Sequence, residues 1–307
     1  MDTKQLIDPE LAAVVDAFPD LTMTPESLAL IREFAFEEDL SDAVVRSEEV
    51  LPGSPEVSVR IHRPVNAVGT LPCVLSMHGG GFVIGSASMD DTLFDRWCPT
   101  LGVVGISVEY RLAPETPYPG PLDDCYRALL WTVENAERLG IESTRIGVHG
   151  ISAGGGLAAC LALLARDRGE VALAFQLLDC PMLDDRRITP SSRLDGLPIW
   201  SRESNEFGWR SYLGTRFGSD DVPYTAAAAR AVDLANLPPT FVSVGTVDGF
   251  RDEDIDYALR LNQAGVPTEL HVYPGAPHGY AIVPDSAVAK QGGRDKADWL
   301  AKHVRPR

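Results

Sequence analysis

The chain has 307 residues, 45% of them hydrophobic and 23% charged, enough for one large α/β domain or two modest ones with a sizeable core. A formal charge of −17 sets it against nucleic acid and anionic membrane surfaces, both of which would repel it, and mildly favours neutral or cationic ligands. No apolar run approaches the roughly 20 residues a membrane span needs.

The chain starts MDTKQLIDPE, without a basic start followed by an apolar run, so no secretory signal is expected. Five scattered cysteines (Cys73, Cys98, Cys125, Cys160, Cys180) lack the spacing of a disulfide framework or a metal cluster, and they read as reduced, buried thiols of a cytoplasmic protein. Residues 1–45 read as two helices, the second started by Thr24-Pro25-Glu26, with a Thr cap and a Pro in the first turn. They form an expected N-terminal helical cap segment.

From there strand-like and helix-like segments alternate, the pattern of a mainly parallel sheet with helices on both faces. Val57–His62 alternates as an outer strand would. The runs at Pro72–Met77, Val103–Val108, Arg145–His149, Ala174–Leu178 and Thr240–Val244 suit buried central strands, and Leu270–Tyr273 suits an edge. Helices are expected over Leu122–Leu139, Gly155–Asp167, Asp252–Ala264 and Asp295–Val304. Residues 183–230, rich in aromatics, are too long for a plain connection and are expected to be a cap insertion. The catalytic domain would then comprise residues 46–182 and 231–307.

The strongest chemical signal is Gly150-Ile151-Ser152-Ala153-Gly154 between a strand and a helix. A serine on such a tight turn needs small neighbours so that the backbone can double back, and the turn presents its hydroxyl beside a helix N-terminus. The alternative is a glycine-rich loop that only lets the helix pack closely. Earlier in the chain His78-Gly79-Gly80-Gly81-Phe82 ends a strand. Three glycines can turn N–H groups toward a developing oxyanion, so Gly80 and Gly81 are assigned as donors together with Ala153, and His78 as structural.

In an α/β-hydrolase sheet the order nucleophile, acid, histidine leaves His271, His278 and His303 as candidate bases. His278, in the loop Gly275–Gly279 after the last strand, is the choice. Two aspartates end strands between the serine and that histidine, Asp179 and Asp248. Asp248, in a short polar turn, is preferred, to hold the imidazole in one tautomer and stabilise its charged form. Asp252, Glu253 and Asp254 are expected to stabilise the start of the next helix.

Together HGGGF, Glu109–Glu115 (EYRLAPE), GISAG, VGTVDGFRDED and PHGY resemble the hormone-sensitive-lipase-like branch of the α/β-hydrolases, which includes bacterial carboxylesterases. The five motifs occur in the family's order between about residues 55 and 305. The resemblance implies an eight-stranded, mostly parallel α/β-hydrolase sheet, a helical cap, short-chain acyl esters as substrates, and a triad of Ser152, Asp248 and His278 that needs no metal or organic cofactor. It also makes Tyr110–Glu115 a structural turn beside the site. Two departures, Ile151 before the serine and Glu109 before Tyr-Arg, bear on substrate preference and packing. A related plant hormone receptor keeps the fold without the histidine; His278 is present here.

The aromatics Phe34, Phe36, Phe82, Trp200, Phe207, Trp209 and Tyr212 are candidates to line the substrate pocket, or else to hold the cap to the sheet. Two other functions remain open on this evidence, an amidase or peptidase using the same triad and a ligand-binding protein on a hydrolase scaffold. The expected partner is a small-molecule ester, and an exposed last strand leaves a homodimer open.

Overall fold

The computed structural model describes residues 3–19, 22–33 and 39–305. Eight strands form one sheet: β1 (Val44–Val50), β2 (Ser58–Pro64), β3 (Leu71–Met77), β4 (Val104–Glu109), β5 (Ile141–Ile151), β6 (Gln176–Asp179), β7 (Thr240–Val247) and β8 (Thr268–Pro277). They lie in the order β1-β2-β4-β3-β5-β6-β7-β8, antiparallel from β1 to β4 and parallel from β4 onward. The chain is thus a mostly parallel α/β sheet. β3, β4, β6 and β7 are buried nearly throughout, as continuous apolar runs in a covered parallel sheet must be.

The helices are α1 (Pro9–Ala17), α2 (Leu28–Arg32), α3 (Asp91–Trp97), α4 (Gly120–Glu134), α5 (Ala136–Leu139), α6 (Ala153–Arg168), α7 (Arg202–Leu213), α8 (Arg251–Gln263) and α9 (Ala287–Val304). Because side chains alternate across a strand, Leu75, Val148 and Val242 pack with Leu129 of α4, Leu161 of α6 and Leu261 of α8 on one face. Val74, Leu177 and Phe241 pack with Phe94 of α3 and Trp299 of α9 on the other. Among the described residues no helix is long and apolar enough to cross a membrane.

The elements differ from expectation in four places. The edge next to Val57–His62 is β1, so that segment is a strand paired on both sides. The expected helix over residues 122–139 breaks at Asn135, whose side-chain amide donates to the Trp131 carbonyl at 2.9 Å and competes with the helical ladder. The last helix begins eight residues earlier than Asp295, at Ala287, where the Ser286 hydroxyl caps the Ala289 N–H. Thr24 caps the Ser27 N–H at 3.1 Å, but Pro25 and Glu26 form only a turn, and α2 starts at Leu28.

The N-terminal segment and residues 183–230 touch one another. The Met23 N–H donates to Ser204 Oγ at 3.0 Å, and the Thr3 hydroxyl donates to the carbonyls of Asp195 and Gly196. The N-terminal segment also reaches the sheet, the Asp8 N–H donating to the Gly275 carbonyl at 2.9 Å.

Candidate active site

Ser152 stands between β5 and α6 with φ 57° and ψ −122°, a conformation that an L-residue holds only when its surroundings impose it. Those surroundings are visible. A Cβ at Gly150 would collide with the Gly154 carbonyl, and one at Gly154 with the Met77 carbonyl, so both must be glycine for the turn to close. The Ser152 N–H donates to the Asp179 carbonyl at 2.8 Å, and its own carbonyl accepts from Met182 at 2.9 Å. The exit of β6 therefore clamps the strained residue on both sides.

The Ser152 hydroxyl lies 3.0 Å from His278 Nε2, and His278 Nδ1 lies 2.8 Å from Asp248 Oδ2. The second oxygen of Asp248 accepts the Phe250 N–H at 2.9 Å, which fixes the carboxylate plane. The Phe250 ring meets the imidazole edge-on at 5.1 Å. Asp179 goes elsewhere: it accepts from Ser243 Oγ at 2.6 Å and is ion-paired with Lys296. Of the two candidate acids, only Asp248 bonds to the histidine.

Gly80 (φ 117°) and Gly81 (φ 59°) follow β3 in conformations that favour glycine. A Cβ on Gly80 would strike the Ile84 carbonyl. Among the described residues neither N–H has a backbone acceptor. Ala153 opens α6, so its N–H has no partner within the helix. His78 is fully buried, its Nδ1 donating to the Gly79 carbonyl at 2.7 Å and its ring stacked on Tyr110 at 4.2 Å. The Tyr110 hydroxyl donates to the His78 carbonyl at 2.7 Å, and the Ala113 N–H to that of Phe82 at 2.9 Å. The turn over Tyr110–Glu115 thus buttresses the glycine loop.

A family model described as alpha/beta hydrolase fold matches residues 74–282. The chain is 33% identical over 310 residues to esterase LipI of Mycobacterium tuberculosis, covering 95% of this chain and 94% of that one. It is 34% identical over 300 residues to carboxylesterase NlhH of the same organism, with 94% of each covered. A solved bacterial heroin esterase superposes with a TM-score of 0.91 at 42% identity, over 99% of this chain and 100% of the other. The chain belongs to the hormone-sensitive-lipase-like carboxylesterase family of α/β-hydrolases.

In this esterase the candidate pocket aromatics part company. Phe82, Trp209 and Tyr212 are fully buried against one another, Phe82 stacked on Tyr212 at 4.1 Å and 5.3 Å from Trp209. Rings packed on rings fasten α7 to the loop after β3. Phe207 lines a surface cleft with Pro25, Pro114, Pro117 and Arg210. Trp200 lies against the glycine loop after β3, its indole where a Cβ of Gly81 would be. Phe34 and Phe36 lie outside the described residues.

Leu197 and Ile199, which also border the site, escaped the sequence reading. Their signal was a four-residue apolar run, Leu197–Trp200, set in an otherwise polar loop. The acids after Asp248 stand in the first turn of α8. Glu253 and Asp254 are buried, and Glu253 Oε1 accepts the N–H groups of Leu183 and Asp184 at 2.9 and 3.0 Å. Burial pushes both carboxyls well above the usual range. Asp252 binds the Ser191 N–H at 2.7 Å.

Proposed function

We propose that this esterase hydrolyses short-chain acyl esters through an acyl-enzyme on Ser152. His278 takes the serine proton as the hydroxyl oxygen attacks the ester carbonyl, and Asp248 holds the imidazole in the tautomer with its free nitrogen toward the serine. Negative charge develops on the carbonyl oxygen beside the N–H groups of Gly80, Gly81 and Ala153, where each donor is worth roughly 3 kcal/mol. The imidazolium then protonates the departing alcohol. Water, activated by the same ring, hydrolyses the acyl-enzyme and regenerates the serine.

The observation that carries this reading is the unbroken hydrogen-bond chain from Ser152 through His278 to Asp248 beside a glycine loop with free N–H groups. In the same reading, residues 1–45 and 183–230 act as a cap over a catalytic domain of 46–182 and 231–307. Their mutual hydrogen bonds support that division. The ligand is a small neutral ester, in keeping with the acidic surface. Five free, buried cysteines support a reducing, cytoplasmic location.

Turnover of p-nitrophenyl butyrate by Ser152→Ala tests the reading. Loss of activity in a folded variant is expected, and undiminished activity removes Ser152 from the mechanism. Competition between a matched ester and anilide separates esterase from amidase action.

A further inference from the structure

One short irregular segment runs against Gly249, Gly279 and Gly81, the neighbours of the acid, of the base and of the oxyanion loop. Leu197 Cδ1 lies 3.2 Å from where a Cβ of Gly249 would stand, beside the acid Asp248. Ile199 Cγ2 lies 3.3 Å from the corresponding point on Gly279, beside the base His278. Trp200 covers Gly81 of the oxyanion loop, and Gly208 of α7 comes so close behind it that a Cβ there would lie 2.8 Å from the Gly81 carbonyl. Leu197 and Trp200 are buried although no strand or helix holds them.

The segment is fastened at both ends. The Thr3 hydroxyl donates to the carbonyls of Asp195 and Gly196 at 3.1 and 3.0 Å. Just past Trp200, Ser201 caps α7 by accepting the Ser204 N–H at 3.1 Å. Between these anchors Ile199 is held at φ 65°, costly for a β-branched residue, and the Trp200 N–H closes a tight turn onto the Pro198 carbonyl at 2.7 Å. Strain kept in place this way fixes where two large apolar side chains stand.

We propose that Leu197-Pro198-Ile199-Trp200 is the specificity-determining ceiling of the site, Ile199 sorting esters by their alcohol and Trp200 by their acyl group. The inference rests on Ser152 being the nucleophile. At the tetrahedral carbon the oxyanion faces Gly80, Gly81 and Ala153, and the leaving oxygen must reach His278 Nε2. The alcohol therefore emerges beside the base, under Ile199. The acyl carbon takes the remaining direction, along the oxyanion loop under Trp200.

The test measures kcat/KM of the full-length protein on two ester series. One varies the acyl group (p-nitrophenyl acetate, butyrate, octanoate), the other the alcohol (ethyl and cyclohexyl acetate). Trp200→Leu, with Trp200→Phe as a milder change, is expected to raise the octanoate-to-acetate ratio about tenfold and leave the cyclohexyl-to-ethyl ratio unmoved. Ile199→Gly, whose backbone accepts φ 65° without strain, is expected to raise the cyclohexyl-to-ethyl ratio by a similar factor and leave the acyl ratio unmoved. Ratios that stay within about twofold in all three variants, or that move in the opposite pairing, overturn the ceiling. Ser152→Ala is assayed alongside. Retained turnover there overturns the triad and the ceiling together, whereas an inactive Ser152→Ala with unmoved ratios overturns the ceiling alone.

Discussion

Asp179 and Lys296 form a buried ion pair at the end of β6, one strand away from the carboxylate that holds His278. Burial alone would push the Asp179 carboxyl up. Lys296 and the Ser243 hydroxyl outweigh it and hold the group below its ordinary value. Two aspartates at neighbouring strand ends thus do different work.

Asp179→Asn and Asp248→Asn should therefore fail in different ways. Removing the Asp179 charge leaves Lys296 buried and unpaired, with an expected loss of about 3–5 kcal/mol in urea denaturation and near-normal kcat in the protein that remains folded. Asp248→Asn should cost little stability but lower kcat by about 10⁴, because an amide no longer selects the imidazole tautomer. Equal losses of kcat in the two variants would contradict the assignment.

Glu253 ties the start of α8 to the exit of β6, the same stretch whose Met182 N–H binds the Ser152 carbonyl. Burial pushes its carboxyl well above the ordinary carboxylate range, toward the neutral acid, of which an amide is a close isostere. Glu253→Gln should stay within about 1 kcal/mol of the parent at pH 7. Glu253→Ala leaves two buried N–H groups without acceptors and should cost about 2–4 kcal/mol. Parallel chemical denaturation distinguishes them, and a large loss in Glu253→Gln would mean the group is ionised.

Acid should weaken the fold through two buried histidines. Burial lowers both His78 and His149 to about 4, while the unfolded chain titrates near 6.5. The unfolded state takes up protons first, so this stability is complete above pH 6.5 and is lost as pH falls toward 4. Replacing His149 with Gln, within hydrogen-bonding reach of Ser76, should shrink the stability difference between pH 7 and pH 5 by about 2 kcal/mol. An unchanged difference would show that folding does not lower the proton affinity of His149.

The candidate site was legible because its geometry leaves steric marks in the chain. Gly150 and Gly154 around Ser152 and Gly80 in the loop after β3 stand where a Cβ would strike backbone, Gly81 where it would strike the Trp200 ring, and the preferred acid and base stand at strand ends. β1 was not legible, because Val44–Val50 (VVRSEEV) is a half-solvated edge whose polar residues hide the alternation. The break in α4 turns on one side-chain amide, that of Asn135, which periodicity does not register. The aromatics of 200–212 announced a structured insertion, but composition does not say which ring meets the glycine loop. Trp200 covers Gly81, whereas Trp209 and Tyr212 are buried against Phe82, a distinction set by the tight turn at Ile199.

Mass spectrometry of the protein after exposure to a fluorophosphonate probe tests the central claim most directly. A single adduct on the peptide carrying Ser152 is predicted, absent from Ser152→Ala and strongly slowed in His278→Ala, where the base that activates the hydroxyl is gone. An adduct on another residue, or labelling of Ser152 that proceeds at the parent rate without His278, would contradict the account.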